Sequence, residues 1–187
     1  LFPFTVMFVV TSVATLRERT SGTLERLMTM PLGKLDLLLG YALAFGLVAL
    51  VQVGVVLLIS LTWLGLDLSG SLGSLVLVAL LDALLGMSLG LFASAFARTE
   101  FQAVQFMPAF VLPQLLLCGL IMPREEMASW LRVISDVLPL SYAVEGMREI
   151  SSTPEFSATL ALDVVVIAAF TVVSLLLGAV TLRRRTA

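Results

Sequence analysis

The 187-residue sequence has no histidine and a single cysteine, Cys118. That removes histidine-based metal sites, Cys-His nucleophiles, a serine triad with its histidine, and any intrachain disulfide. Charge is also scarce: 13% of the residues are Asp, Glu, Lys or Arg, where a soluble domain carries about 25%. An ordinary soluble enzyme is thereby excluded. Thirteen acids and eleven bases leave a net charge of -2, so no global basic field draws in nucleic acid, and none is expected as a partner. The phosphate-binding pattern G-x-x-x-x-G-K-S/T is missing, so the chain is not expected to bind and hydrolyse ATP itself. Nor does a carboxylate pair stand beside a nucleophile, and no enzyme activity, metal or cofactor is expected of this chain.

What the sequence has is long uncharged runs and a mean hydropathy of +1.09. Residues 37–66 are 30 uncharged residues and residues 101–123 are 23. Residues 68–97 are broken only by Asp82, and residues 164–182 run for 19 before Arg183. A helix needs about 20 apolar residues to cross the hydrocarbon core of a bilayer, so these are four spanning candidates. Residues 1–16 are equally apolar, but at 1.5 Å per residue they reach about 24 Å, short of the roughly 30 Å core. The stretch reads as the end of a truncated helix. With Leu1 in place of an initiator methionine and no basic start, the chain reads as a fragment or processed form lacking an N-terminal part.

Lysine and arginine concentrate in cytoplasmic loops. One side would hold Arg17, Arg19, Arg26, Lys34, Arg98 and the tail Arg183, Arg184 and Arg185; the other holds only Arg124, Arg132 and Arg148. Eight against three puts residues 17–36 and the C-terminus in the cytoplasm, in a multi-pass protein of the cell membrane.

Two segments neither span nor loop freely. In the cytoplasmic segment, Leu24, Leu27 and Met28 fall at i, i+3 and i+4, so a short helix after Gly22 shows one apolar edge and stops near Pro31. It suits either the headgroup region or a cytoplasmic partner. In the outer segment, residues 124–156, the spacing of Met127, Trp130, Leu131, Ile134, Val137 and Leu138 predicts one short helix. Pro139 ends it, and a second short helix carries Glu145, Arg148 and Glu149. With their charge neither can cross lipid, and they should lie at the outer interface or dip in only where protein covers them.

Within the spans, Ala79, Ala83, Gly86, Gly90, Ala93 and Ala97 put small residues on one helix face, which reads as a packing seam. Asp82 sits at its edge, where a carboxylate must face protein or water. The next span carries Gln105, Pro108, Pro113 and Gln114. Its two prolines predict a bend, and with Asp82 these residues could line a substrate path.

Residues 18–27 (ERTSGTLERL), followed by Pro31, resemble the E-R-x-x-G-T-x-E-x-L/I segment of the type-2 exporter permeases of ATP-binding-cassette transporters. The outer residues Gly119 and Pro123, then Trp130, Pro139, Tyr142, Glu145 and Arg148, resemble the same family's extracytoplasmic signature, with Ala128 where many members carry proline. The resemblance implies an all-α polytopic transmembrane bundle, here one permease domain of four full helices plus a truncated one, where the family norm is six. It implies a coupling helix at Gly22, Thr23, Leu24, Glu25, Arg26, Leu27 and Met28, docked on a cytoplasmic ATPase subunit that binds the ATP and Mg. It further implies pairing with a second permease copy in the lipid bilayer and export of an amphipathic drug, lipid or glycan. A proton- or ion-coupled carrier using Asp82, or a membrane scaffold, is the alternative.

Overall fold

A computed structural model describes residues 1–29, 33–65, 69–153 and 156–181, with the side chains of Glu25, Met28, Lys34, Leu35 and Leu38 left aside. Pro31, Asp67, Glu155 and the tail arginines therefore lie outside the described residues.

The described residues fold into helices joined by short turns. They are α1 (Phe2–Thr20), α2 (Thr23–Met28), α3 (Lys34–Thr62), α4 (Leu72–Ser94), α5 (Glu100–Leu117), α6 (Ser129–Val137), α7 (Pro139–Ser152) and α8 (Ala158–Thr181), with a 3-10 turn at Arg124–Glu126 before α6. Local chemistry sets the ends. Ser71 Oγ accepts from Ser74 N at 3.0 Å to start α4, and Thr99 Oγ1 accepts from Gln102 N at 3.2 Å to start α5. Ser157 Oγ does the same for Leu160 N of α8 at 3.0 Å. Gly22 and Gly119 turn the chain after α1 and α5 at φ of 76° and 86°, a left-handed conformation that a side chain disfavours.

Among the described residues three helices are long and apolar enough to cross a membrane: Leu39–Thr62, Leu72–Ser94 and Ala158–Thr181. The run at residues 101–123 becomes α5, which has 18 residues because the turn at Gly119 follows directly on its C-cap, Cys118. The opening stretch continues as α1 for 19 residues through Arg17, Glu18 and Arg19.

The core is built around α1 and α4, which run side by side in the same direction. Phe4, Met7 and Phe8 are fully buried, and Gly86 and Gly90 lie against the backbone of Phe4 and Phe8. The Gly86 and Gly90 part of the small-residue seam of α4 thus receives α1, while its Ala79 and Ala83 end meets α3. A Cβ at either glycine would approach a carbonyl oxygen far more closely than atoms pack. Such faces let helices approach closely where no hydrophobic force drives them together. On other sides α4 meets α3 through Ala49, Val53, Ala79 and Ala83, and α8 where Gly178 faces Leu91. Helix α5 joins α1 through Leu16, Ala97 and Ala103, and by the Phe8 and Phe110 rings, whose centroids are 5.8 Å apart.

The outer segment divides at Pro139, the first residue of α7. Helix α7 inserts against α4 and α8, burying Leu140, Ala143, Val144 and Ile150. The outward faces of α3 and α8 are rows of exposed aliphatics such as Leu43, Leu47, Leu58, Val165 and Val180. A patch of that extent is tolerable only against lipid or protein.

Candidate functional site

At the end of the bundle where α1 stops, α2 leaves Gly22 and turns Leu24 inward. Leu24 is 7% exposed and packs with Tyr41 of α3 and Leu91 of α4. The single apolar edge expected for a partner is therefore divided: Leu24 belongs to the chain's own core, because the seat between α3 and α4 takes it. Thr23 and Arg26 are exposed and Leu27 is half-buried. The side chains of Glu25 and Met28 lie outside the described residues. Beside this seat the Tyr41 hydroxyl donates to the Glu18 carboxylate, tying α3 to α1. Arg17 reaches α5 by a two-pronged pair, Nε to Glu100 Oε1 at 2.7 Å and Nη2 to Oε2 at 2.8 Å. The guanidinium holds the Glu100 carboxyl below its ordinary range. Arg19 is half-buried, and its Nε and Nη2 have no partner among the described residues.

The path residues do not converge. Asp82 is 2% exposed, its Oδ2 lies 3.1 Å from the backbone nitrogen of Leu1, and its Oδ1 is unpaired among the described residues. It lines a cavity of about 370 Å³ with Leu1, Leu140, Ala143, Met147 and Arg148. Gln114 is also buried. Its Nε2 donates to Phe110 O at 3.1 Å, and its Oε1 accepts from Leu140 N at 3.4 Å, which seats the start of α7. Gln105, Pro108 and Pro113 lie instead on the outward face of α5, with Val104 and Leu112. Each proline leaves the carbonyl four residues back, on Val104 and on Ala109, without its helical donor.

The outer motif does gather, around a residue that sequence reasoning did not single out. Arg124, just after Pro123, donates to both Asp136 of α6 and Glu145 of α7, and its guanidinium carbon lies 5.8 Å from the Tyr142 ring centroid. The Tyr142 hydroxyl donates to Asp136 O at 2.7 Å, and Arg148 donates to Gly119 O. Pro139 opens α7, while Trp130 points away, 66% exposed. Asp163 was missed as well. It is 1% exposed in the first turns of α8, against Gly146, with Oδ2 unpaired among the described residues. Its signal was a charge at the margin of an apolar run, which a search for charge-free stretches discards. Among the described residues no group of three His, Cys, Asp or Glu side chains is placed to hold a metal.

The model of the family described as "ABC-2 type transporter" matches residues 1–151, from α1 through all but the last residue of α7. The chain is 30% identical over 141 residues to "ABC transporter G family member 20" of Dictyostelium discoideum, a match covering 75% of this chain and 19% of that protein. It is 29% identical to "Probable multidrug ABC transporter permease YbhR" of Escherichia coli, over 77% of this chain and 39% of the relative. It is 29% identical to "Linearmycin resistance permease protein LnrN" of Bacillus subtilis, over 79% of this chain and 39% of the relative. The chain thus spans less than half the length of these relatives.

Proposed function

The chain belongs to the ABC-2 type transporter family, and on that premise we propose that it is the membrane subunit of an ATP-driven exporter of amphipathic molecules. A separate ATP-binding subunit docks on α2, and a second permease copy completes the path. Two relatives carry the names "Probable multidrug ABC transporter permease" and "Linearmycin resistance permease protein", which supports an amphipathic cargo.

The observation that carries this reading is the division of α2. Leu24 is keyed between α3 and α4 while Arg26 stays exposed. A helix of six residues cannot hold itself on lipid by one buried leucine, yet it is rigidly joined to two membrane helices. Pressure on its outward face passes through Leu24 into Tyr41 and Leu91. Glu18 and Tyr41 carry the same displacement to α1. In this proposal Arg26 and Leu27 meet the ATPase, and Leu24 transmits.

The outward face of α5 supports pairing. Gln105 and the two proline-freed carbonyls would be costly against acyl chains, because lipid offers no hydrogen bonds. Covered by a second copy, the same groups line a path with polar contacts between apolar walls.

The test co-expresses the ATPase subunit and measures complex yield and substrate-stimulated ATP hydrolysis. Arg26→Glu is expected to lower complex yield, and Leu24→Ala to keep the complex but lose stimulation. Wild-type yield and stimulation in both variants would overturn the proposal. The Oδ1 of Asp82, unpaired among the described residues, favours a second reading, an ion-coupled carrier. Export driven by a proton gradient without ATP, and lost in Asp82→Asn, would establish it.

A further inference from the structure

The cavity of about 370 Å³ lies where α4 and α7 meet the start of α1, and its wall is graded. Asp82, Leu140, Ala143 and Val144 form a buried floor. Leu120, Arg148 and Ser151, all exposed, form the rim. The floor holds one ionisable group, and its hydrogen bonding is incomplete. Asp82 is 2% exposed; its Oδ2 accepts from the backbone nitrogen of Leu1 at 3.1 Å, whereas Oδ1, also buried, has no partner among the described residues. Arg148 does not supply one. Its Nη2 donates to Gly119 O, next to the rim, and among the described residues it forms no ion pair with Asp82.

We propose that this cavity binds an organic monocation, a primary ammonium that donates to Asp82 at the floor while its apolar body lies along Leu140, Ala143, Val144 and Met147. The site is complete within one chain and goes beyond the export reading, since it needs neither the ATPase nor a second copy. Its volume falls in the range of about 300–1,000 Å³ typical of small-molecule sites, and apolar walls with one convergent polar group are what fixes a ligand's orientation there. A carboxylate oxygen left unmatched in a membrane span is costly, and a charge-assisted hydrogen bond is strong where water is excluded. The same walls select among cations. A quaternary ammonium has no N–H to give Oδ1, and none of the residues lining the cavity is an aromatic that would receive it by its ring face. A divalent metal needs six or more oxygen ligands, which one carboxylate among aliphatic side chains does not provide. A second positive charge at the far end of the ligand would meet Arg148 at the rim, which favours a monocation over a diamine.

The test measures equilibrium binding of radiolabelled 1-adamantylammonium to the protein in phosphatidylcholine nanodiscs, with the signal of protein-free nanodiscs subtracted. Saturable binding is expected in the wild type, and the uncharged adamantan-1-ol should compete on the order of tenfold more weakly or worse, the worth of a hydrogen bond to a charged group. Asp82→Asn keeps the shape of the floor and removes the charge, and it should weaken binding of the ammonium by a similar factor. Ser151→Trp, at the exposed rim, should weaken it by obstructing the mouth without disturbing the core. No saturable binding in the wild type would mean that a proton or another part of the polypeptide satisfies Oδ1, and the proposal falls. Equal affinity in Asp82→Asn would mean that the apolar body alone is held, which also overturns it. If Asp82→Asn does not fold, as judged by its elution in size exclusion, the other two comparisons decide. Equal competition by the alcohol, or unchanged binding in Ser151→Trp, then refutes the site.

Discussion

The carbonyl oxygen of Phe8 lies over the α-carbon of Gly90 with no space for a methyl group between them, and Phe4 stands in the same relation to Gly86 one turn earlier. Two membrane helices meet there backbone to backbone, so neither position has a flexible neighbour to give way.

Gly86→Ala and Gly90→Ala are each expected to destabilise the bundle by about 1–3 kcal/mol, the usual cost of overpacking. Gly73→Ala, where the nearest side-chain atom is 3.9 Å away, is expected to be neutral or to gain about 0.5–1 kcal/mol from helix propensity. Thermal unfolding of the three variants in one detergent checks the order. Equal midpoints would mean that α1 does not sit in this seam.

Arg124→Ala removes one cation from two carboxylates on different helices. Its side chain is 18% exposed and those of Asp136 and Glu145 are near half, so the expected cost is about 1–2 kcal/mol, below that of a buried pair. Loss should appear first as proteolysis between α6 and α7. Arg124→Lys should restore little of it, because one ammonium cannot serve both partners in fixed directions. Wild-type protease resistance in Arg124→Ala would show that the hub ties nothing together.

The pair of Arg17 and Glu100 predicts a pH dependence. Its folded-state carboxyl is depressed, so its contribution is present above the unfolded value near 4.3 and fades as the pH falls through the folded one. Both side chains are exposed, which makes the effect small and salt-sensitive. Wild type and Arg17→Gln should differ slightly in unfolding midpoint at pH 7 in low salt. They should converge as the pH falls through and below the depressed folded-state value, and in high salt. A difference that high salt leaves unchanged would assign the loss to packing.

Orientation rests on the eight-to-three distribution of basic residues in the sequence. Cysteine substitutions at Thr20 and Ser152, both exposed, should divide in intact cells labelled by an impermeant maleimide. Ser152→Cys reacts, and Thr20→Cys reacts only after lysis. The reverse pattern would invert the topology.

The division at Pro139 and the short helices around it were legible because those helices are amphipathic and a proline separates them. The Gly86 and Gly90 pair announced that something packs closely, but nothing in the sequence says that the partner is α1. A helix that is apolar all round carries no stripe to show which neighbour it faces. The same degeneracy hid the inward turn of Leu24: the spacing of Leu24 and Leu27 defines an edge without saying which side of the polypeptide covers it. Gln105 and Gln114 looked equivalent on α5. Nine residues put them about 180° apart, and only the position of α7 decides which one is buried.

The pairing of Phe4 with Gly86 joins residues 82 positions apart. At a synthesis rate of about 5–20 residues per second, α1 waits roughly 4–16 s for its neighbour to leave the ribosome. During that interval Thr11, Ser12 and Thr15, all buried in the finished bundle, have no α4 to cover them. During synthesis these hydroxyls therefore need other cover before the central pair can close.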